Sequence, residues 1–124
     1  MIVYELSFLY MRIKILEDIM KEIMEKVVKF TEERDWDQFH SAENLSKSIV
    51  IEAGELMECF QWSCDKFSKD KVCEELADVF NYCFLLANKI GVDPKEIILN
   101  KIEKNAEKYP VEKAKGVSTK YNEL

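Results

Sequence analysis

Long stretches of this sequence repeat apolar residues every three or four positions, and glycine and proline rarely interrupt them. The 124 residues include only 3 Gly and 2 Pro. Between Arg12 and Arg34 the spacing is carried by Ile15, Ile19, Ile23, Met24, Val27 and Phe30. This is the period of an amphipathic α-helix with one apolar face. A chain of this length has room for one hydrophobic core, so the sequence predicts a single all-α domain spanning residues 1–124.

Capping residues divide the rest of the chain into three further predicted helices. Ser41 is a suitable N-cap for the second helix, and Gly91 is a suitable left-handed residue at the end of the third. Asp93 followed by Pro94 marks the start of the fourth. The predicted stretches are 42–62, 71–90 and 94–109, and a polar tail follows them. The sequence therefore predicts four main helices joined by short loops.

Charge is distributed unevenly along the chain. The net charge is −6, and residues 1–94 carry 11 Lys and Arg against 19 Asp and Glu, whereas residues 95–120 carry 7 Lys against 4 Glu. An acidic body argues against a groove for polymeric DNA or RNA, because such grooves need a basic surface. The basic C-terminal stretch is compatible with a small anionic ligand held by lysines and a metal ion.

The cysteines and the N-terminal residues indicate a compartment. The cysteines form no C-x-x-C pair and have no histidine cluster beside them, so we predict free thiols in a reducing cytoplasm rather than a zinc site. They are Cys59, Cys64, Cys73 and Cys83. The N-terminal run "MIVYELSFLY" is apolar but short, contains Glu5 and lacks the basic flank of a signal peptide. We expect a cytoplasmic protein that does not insert into a membrane.

Carboxylates interrupt two of the apolar helical stretches. In "IEAGELMECFQW", Glu52 falls in the middle of the inward stripe of the second helix, Glu55 lies at its edge, and Glu58 has rotated away. In the third helix, Glu75 and Asp78 are three residues apart and therefore share one face. Two such pairs on consecutive helices would bring four carboxylates to one level of a helical bundle.

Several carboxylates in a partly apolar setting need a counter-charge, because an unpaired buried charge costs several kcal/mol. No arginine lies near either motif, so a cation is the expected partner. Oxygen ligands without His or Cys select Mg2+, with Mn2+ as a substitute. A di-iron site would want Glu-x-x-His motifs, and the one histidine, His40, lies in a predicted loop. The other alternative to a metal site is that these carboxylates are solvated acids on helix surfaces, in a chain that is rich in Glu.

Four blocks in this order resemble the MazG-like all-α nucleotide pyrophosphohydrolases, and within them the dCTP pyrophosphatase branch. The blocks are "FTEERDWDQFHSAENL", "EAGELMECFQW", "EELADVFNYCFLLA" and "KIEKNAEKYPVEKAKG". The resemblance covers about residues 30–121. It implies hydrolysis of a nucleoside triphosphate, dCTP or a modified dCTP, to the monophosphate and pyrophosphate. It also implies a four-helix bundle assembled as a homodimer or homotetramer, with the nucleotide bound between subunits.

The resemblance also implies roles for individual residues. Mg2+ would be held by Glu52, Glu55, Glu75 and Asp78. Glu52 and Glu55 are the predicted catalytic residues, with Glu55 accepting a proton from the attacking water. Many members have a second Glu directly before the first metal ligand, whereas this chain has Ile51, which we interpret as a mark of the branch.

Substrate contacts are predicted in three places. The fourth helix matches the family pattern K-x-x-x-N-x-x-K-Y-P, which implies phosphate contacts from Lys101, Asn105, Lys108 and Tyr109. The resemblance implies a base pocket lined by Trp36 and Trp62, with His40 as a donor or acceptor for the base edge. Tyr82, one turn after Asp78, is predicted to bond a phosphate or a metal-binding carboxylate. Tryptophan faces stack on any base, while edge hydrogen bonds select one. A catalytically silent helical bundle that serves as an interaction or assembly module is the alternative function.

Overall fold

The computed structural model describes residues 2–124, and all regular structure in that range is helical. The five α-helices are α1 (Ile2–Glu32), α2 (Ala42–Glu58), α3 (Lys69–Ile90), α4 (Pro94–Lys108) and α5 (Val111–Ala114). Short 3-10 turns occur at Asp37–Phe39 and Tyr121–Glu123. The all-α class predicted from the sequence is confirmed. The first residue of the predicted domain lies outside the described residues.

The predicted capping residues lie at the helix ends where they were expected. The Ser41 side chain accepts a hydrogen bond from the Asn44 amide at the start of α2, and Asp93 accepts one from the Lys95 amide at the start of α4. Gly91 ends α3 with a φ of 72°, a left-handed conformation that glycine adopts without a Cβ clash. These boundaries could be read from the sequence because each depends on local backbone chemistry.

Other helix boundaries differ from the sequence prediction. Helix α1 was expected to begin near Arg12 but already includes Ile2, since no glycine or proline interrupts the first residues. Helix α2 was expected to reach Trp62 but ends at Glu58. Beyond that point three successive amides, those of residues 59–61, bond to carbonyls three residues earlier, which tightens the chain into a turn. The predicted tail contains α5 and a 3-10 turn.

The chain forms two compact units. The first runs to Gly91, and in it α2 packs against α3 while α1 contacts α3. Its buried side chains are Thr31, Leu45, Leu85 and Ala87. None of the helices described between residues 2 and 124 is long and apolar enough to cross a membrane.

The second unit is Val92–Leu124. In it, the ring of Tyr121 meets that of Tyr109 edge to face at a centroid distance of 6.0 Å, so the tail folds against the end of α4. Lys108 places its Nζ atom 4.8 Å from the centre of the Tyr121 ring. The arrangement of the helices as a four-helix bundle in an oligomer stays a prediction.

Candidate active site

Three carboxylates from α2 and α3 form an acidic cluster. Glu52, Glu75 and Asp78 each offer an oxygen within 4.8 Å of the others. Glu75 and Asp78 share one face of α3 because three residues make almost one helical turn. Glu52 and Glu75 are half-buried and Asp78 is exposed. Carboxylate oxygens at this spacing can hold a hard divalent cation such as Mg2+.

Glu55, the fourth predicted ligand, borders the acidic cluster and is itself exposed. Burial raises the pKa of Glu52, and so do a hydrogen bond shared with the Glu55 carboxyl group and repulsion from Glu55, Asp78 and Glu75. Burial likewise raises the pKa of Glu75, followed by repulsion from Glu55 and Asp78. The acids therefore resist ionising together, and a bound cation would relieve that repulsion.

A cavity of about 460 Å3 adjoins the acidic cluster, and Asp78 belongs to both. Its other lining residues are Lys26, Val27, Phe30 and Thr31 from α1, Trp36 and His40 from the following loop, and Asn81, Tyr82 and Leu85 from α3. The volume falls in the range of small-molecule sites. The walls are mostly aromatic and aliphatic, with polar groups at a few points.

Aromatic contacts shape this cavity. The Trp36 ring meets Phe30 edge to face at 5.7 Å, and the His40 ring meets Tyr82 in the same way at 6.4 Å. The Nδ1 atom of His40 is buried and has no hydrogen-bond partner in the described part of the protein. Three residues predicted to contact the substrate, namely Trp36, His40 and Tyr82, thus lie around one cavity.

The loop that carries Trp36 and His40 is anchored at both ends. The Trp36 amide donates to the Thr31 carbonyl at 3.0 Å, and the Asn44 side-chain amide donates to the Phe39 carbonyl at 3.0 Å. An ion pair at 3.1 Å joins Lys89 of α3 to Asp37 within the loop. This pair connects residues that are 52 positions apart in the sequence. It therefore links the loop directly to the helix that carries Asp78.

The remaining predicted substrate residues lie elsewhere. Trp62 follows α2, is 89% exposed and does not line the cavity of its own chain. The predicted phosphate contacts belong to the second unit: Lys101, Asn105 and Lys108 follow at spacings of four and three residues, which places them on one face of α4, and Tyr109 ends that helix. All four α4 residues are exposed.

Sequence reasoning missed several residues of the cavity. Asn81 gave a visible signal, since it and Asp78 are the polar side chains within the apolar run from Leu76 to Ala87. Lys26 gave no such signal, because its sequence context is that of an ordinary solvated helix lysine. In the structure its Nζ atom pairs with Glu22 at 2.7 Å. The Asp37–Lys89 ion pair also had no local pattern that could reveal it.

Comparisons with known proteins find a matching family model, similar relatives and a similar solved structure. The model of the MazG-like family matches residues 47–124. The chain is 36% identical to dCTP pyrophosphatase 1 of Mus musculus over 117 residues and 37% identical to that of Homo sapiens over the same length. Both matches cover 87% of this chain and 69% of the relative. Among solved structures, a pyrophosphatase from Archaeoglobus fulgidus is similar, with a TM-score of 0.65, 36% identity and coverage of 73% of this chain and 92% of that one.

Proposed function

The chain belongs to the MazG-like family, and we propose that it is a nucleoside triphosphate pyrophosphohydrolase that converts dCTP, or a modified dCTP, to the monophosphate and pyrophosphate. The observation that carries this proposal is that Asp78 belongs both to the acidic cluster and to the aromatic cavity. A nucleotide in the cavity would therefore have its phosphates beside the carboxylates. The two relatives named dCTP pyrophosphatase 1 support cytosine as the base.

The acidic cluster and Glu55 fit Mg2+, with Mn2+ as a substitute. All the donors are carboxylate oxygens, which hard cations prefer. Burial and mutual repulsion raise the pKa values of Glu52 and Glu75, and a divalent charge offsets that repulsion. When bound, Mg2+ supplies charge neutralisation at the phosphate oxygens and lowers the pKa of nearby water.

Glu55 is the carboxylate best placed to act as the general base. It is exposed, whereas Glu52 and Glu75 are half-buried, and it borders the acidic cluster without belonging to it, unlike the exposed Asp78. In the proposed reaction a carboxylate oxygen of Glu55 takes a proton from water. The water oxygen bonds to the α-phosphorus, the bond from that phosphorus to the bridging oxygen breaks, and pyrophosphate leaves. Glu52 lies on the inward face of α2 and is proposed to orient the reacting groups.

The cavity supplies the proposed base site. The rings of Trp36 and Tyr82 offer aromatic surface for stacking, a contact that accepts any base. Discrimination requires hydrogen bonds to the base edge, and His40 and Asn81 are polar lining residues that can make them. Trp62 is available to close the pocket of a second copy, because it is 89% exposed.

The second unit supplies the proposed phosphate contacts. Lys101, Asn105 and Lys108 form an exposed polar row on α4. Ammonium groups attract the triphosphate, and the asparagine amide donates hydrogen bonds to its oxygens. Tyr109 is the fourth member of this group. The enzyme is further proposed to act on free nucleotides in the cytoplasm as a homodimer or homotetramer, away from membranes and polymeric nucleic acid.

The test is turnover of a panel of nucleoside triphosphates by the purified protein with Mg2+, with products separated by chromatography. The expected result is dCMP and pyrophosphate from dCTP, in equal amounts, with no turnover in EDTA. The matched comparison is Glu52→Gln, which keeps the size of the side chain but removes its charge. Absence of turnover for every nucleotide would support a silent assembly module instead, and release of single phosphates would indicate a phosphatase.

A further inference from the structure

The N-terminal segment of α1, residues 2–19, is α-helical and has an unusually apolar surface. Twelve large apolar side chains in it are each between 45% and 78% exposed. They are Ile2, Val3, Tyr4, Leu6, Phe8, Leu9, Tyr10, Met11, Ile13, Ile15, Leu16 and Ile19. Together they present on the order of 1,000 Å2 of apolar surface. These side chains are distributed around the helix, and this much exposed apolar surface marks an interaction site.

This apolar surface continues a contact that exists within the chain. At the other end of α1, Met20, Met24, Val27 and Thr31 are half-buried or buried. Their spacing of four, three and four residues defines one face of the helix. The same spacing extends backwards through Leu16, Ile13, Leu9, Leu6 and Ile2. The seam that α1 buries within the first unit therefore runs on, uncovered, along the whole N-terminal segment.

We propose that the N-terminal segment pairs with the same segment of a second copy of this chain, in an antiparallel arrangement about a two-fold axis. Spacing of four and three residues is that of a coiled-coil seam, in which each apolar side chain packs between those of the facing helix. An axis near residues 7 and 8 sets Leu6 against Leu9 of the second copy and Ile2 against Ile13 of the second copy. Two-fold symmetry makes each of these contacts twice.

Charges beside the seam favour this register. Glu5 and Arg12 are seven residues apart, so they flank the same edge of the seam. In the antiparallel pair, Glu5 lies next to Arg12 of the second copy, and the reciprocal contact follows from symmetry. The other basic residue of the segment is Lys14, and its charge is balanced by the two acidic residues Glu17 and Asp18. Helices that lie on membrane surfaces carry a polar face rich in Lys and Arg, which this segment lacks.

The pairing goes beyond the proposed catalytic function. The acidic cluster and the cavity are built from residues 26–85, and the MazG-like match begins at residue 47, whereas this contact uses residues 2–19. Whatever assembly the remainder of the chain forms, the N-terminal segment joins two such assemblies. Its loss is expected to halve the mass of the complex and to leave the active site intact.

The first test compares two double variants of the full chain by sedimentation equilibrium at micromolar concentration. Leu6→Glu with Leu9→Glu places charges in the seam and is expected to halve the assembled mass. Tyr4→Glu with Met11→Glu is the control, because these large side chains are also exposed but lie on the opposite face. An unchanged mass in the first variant, or an equal loss in both, would overturn the proposal. Circular dichroism checks that each variant remains helical.

The second test addresses the antiparallel register. Glu5→Arg or Arg12→Glu alone turns both charge pairs into like-charge contacts and is expected to weaken association about fivefold. The two changes together restore opposite charges and are expected to restore the parent affinity. Additive losses in the double variant would contradict this register. If no variant changes the mass and the chain sediments with phosphatidylglycerol vesicles, the segment binds a membrane surface and the pairing is wrong.

Discussion

Glu52 is one of the two half-buried carboxylates of the acidic cluster. It lies on the inward face of α2, it is half-buried, and three further carboxylates surround it. Glu58, six residues along the same helix, is exposed and stands outside this group. The two glutamates therefore form a matched pair, in which one is expected to act in the reaction and the other is not.

We predict that Glu52→Gln lowers kcat for dCTP by about 100-fold or more, because the amide oxygen is a weaker ligand for a divalent cation than a carboxylate. Glu58→Gln is expected to leave kcat within about twofold. Steady-state kinetics with saturating Mg2+ measures both. Retained activity in Glu52→Gln, in a protein with unchanged helicity, would mean that the reaction centre lies elsewhere.

The raised pKa values of Glu52 and Glu75 predict how stability depends on pH without metal. Both acids have folded-state pKa values above the ordinary value of 4.5, so the folded state holds their protons more tightly than the unfolded chain. Their cost is absent below pH 4.5 and grows as the pH rises through the folded-state pKa values. In EDTA at pH 7, Glu52→Gln is therefore expected to have a higher Tm than the parent.

Added Mg2+ is expected to raise the Tm of the parent at pH 7 and to change that of Glu52→Gln much less, because binding to the folded state stabilises it. Differential scanning calorimetry with and without Mg2+ measures both effects, and Mg2+ with Glu58→Gln is the control. An equal Tm gain in the parent and in Glu52→Gln would contradict a cation held at this cluster.

Residue positions were partly predictable because rotation about a helix depends on sequence spacing alone. That rule separated Glu52 from Glu58 and paired Glu75 with Asp78, and the structure brings Glu52, Glu75 and Asp78 within 4.8 Å. Spacing could not reveal Lys26 as a lining residue, because a cavity forms between helices whose relative rotation is set by packing. It also could not show that Trp62 stands apart from the cavity of its own chain.

The loop between α1 and α2 forms part of the wall of the proposed base pocket. It carries Trp36 and His40, and the ion pair between Asp37 and Lys89 ties it to α3. The side chains of this pair are 68% and 35% exposed, so the pair contributes about 1 kcal/mol or less to stability. Its main expected effect is on the position of the cavity wall.

Lys89→Gln is accordingly predicted to raise KM for dCTP about threefold while kcat changes little, since the acidic cluster is not disturbed. Lys89→Arg preserves the charge and is expected to keep the parent KM. Kinetics at low and high salt provide a further check, because screening should remove the difference between parent and Lys89→Gln. A fall in kcat with unchanged KM would contradict this positioning role.

Helix boundaries were predicted correctly where a capping residue defines them. They were predicted wrongly where the prediction rested only on the apolar pattern. Ser41, Gly91 and Asp93 act locally and were identified correctly. The start of α1 was misjudged because the mostly apolar residues before Arg12 were not recognised as part of the helix. The end of α2 was misjudged because the apolar pattern continues past Glu58, although the backbone turns there.

The all-helical class of the molecule followed from periodicity and from the near absence of glycine and proline. Assembly did not follow from these features, because it depends on which apolar faces remain uncovered once the chain has folded. In the described structure, buried apolar side chains are few and exposed ones are many. Such a surface is typical of a subunit that associates with other copies.

The acidic cluster and the cavity are proposed to act together in hydrolysing dCTP, by attack of water at the α-phosphorus. Hydrolysis in oxygen-18 water with Mg2+, followed by mass spectrometry, shows which phosphorus is attacked. The expected result is one heavy oxygen in dCMP and none in pyrophosphate, because the attacking oxygen stays on the phosphorus to which it bonds. Heavy oxygen in pyrophosphate, release of single phosphate, or no turnover of dCTP would contradict it.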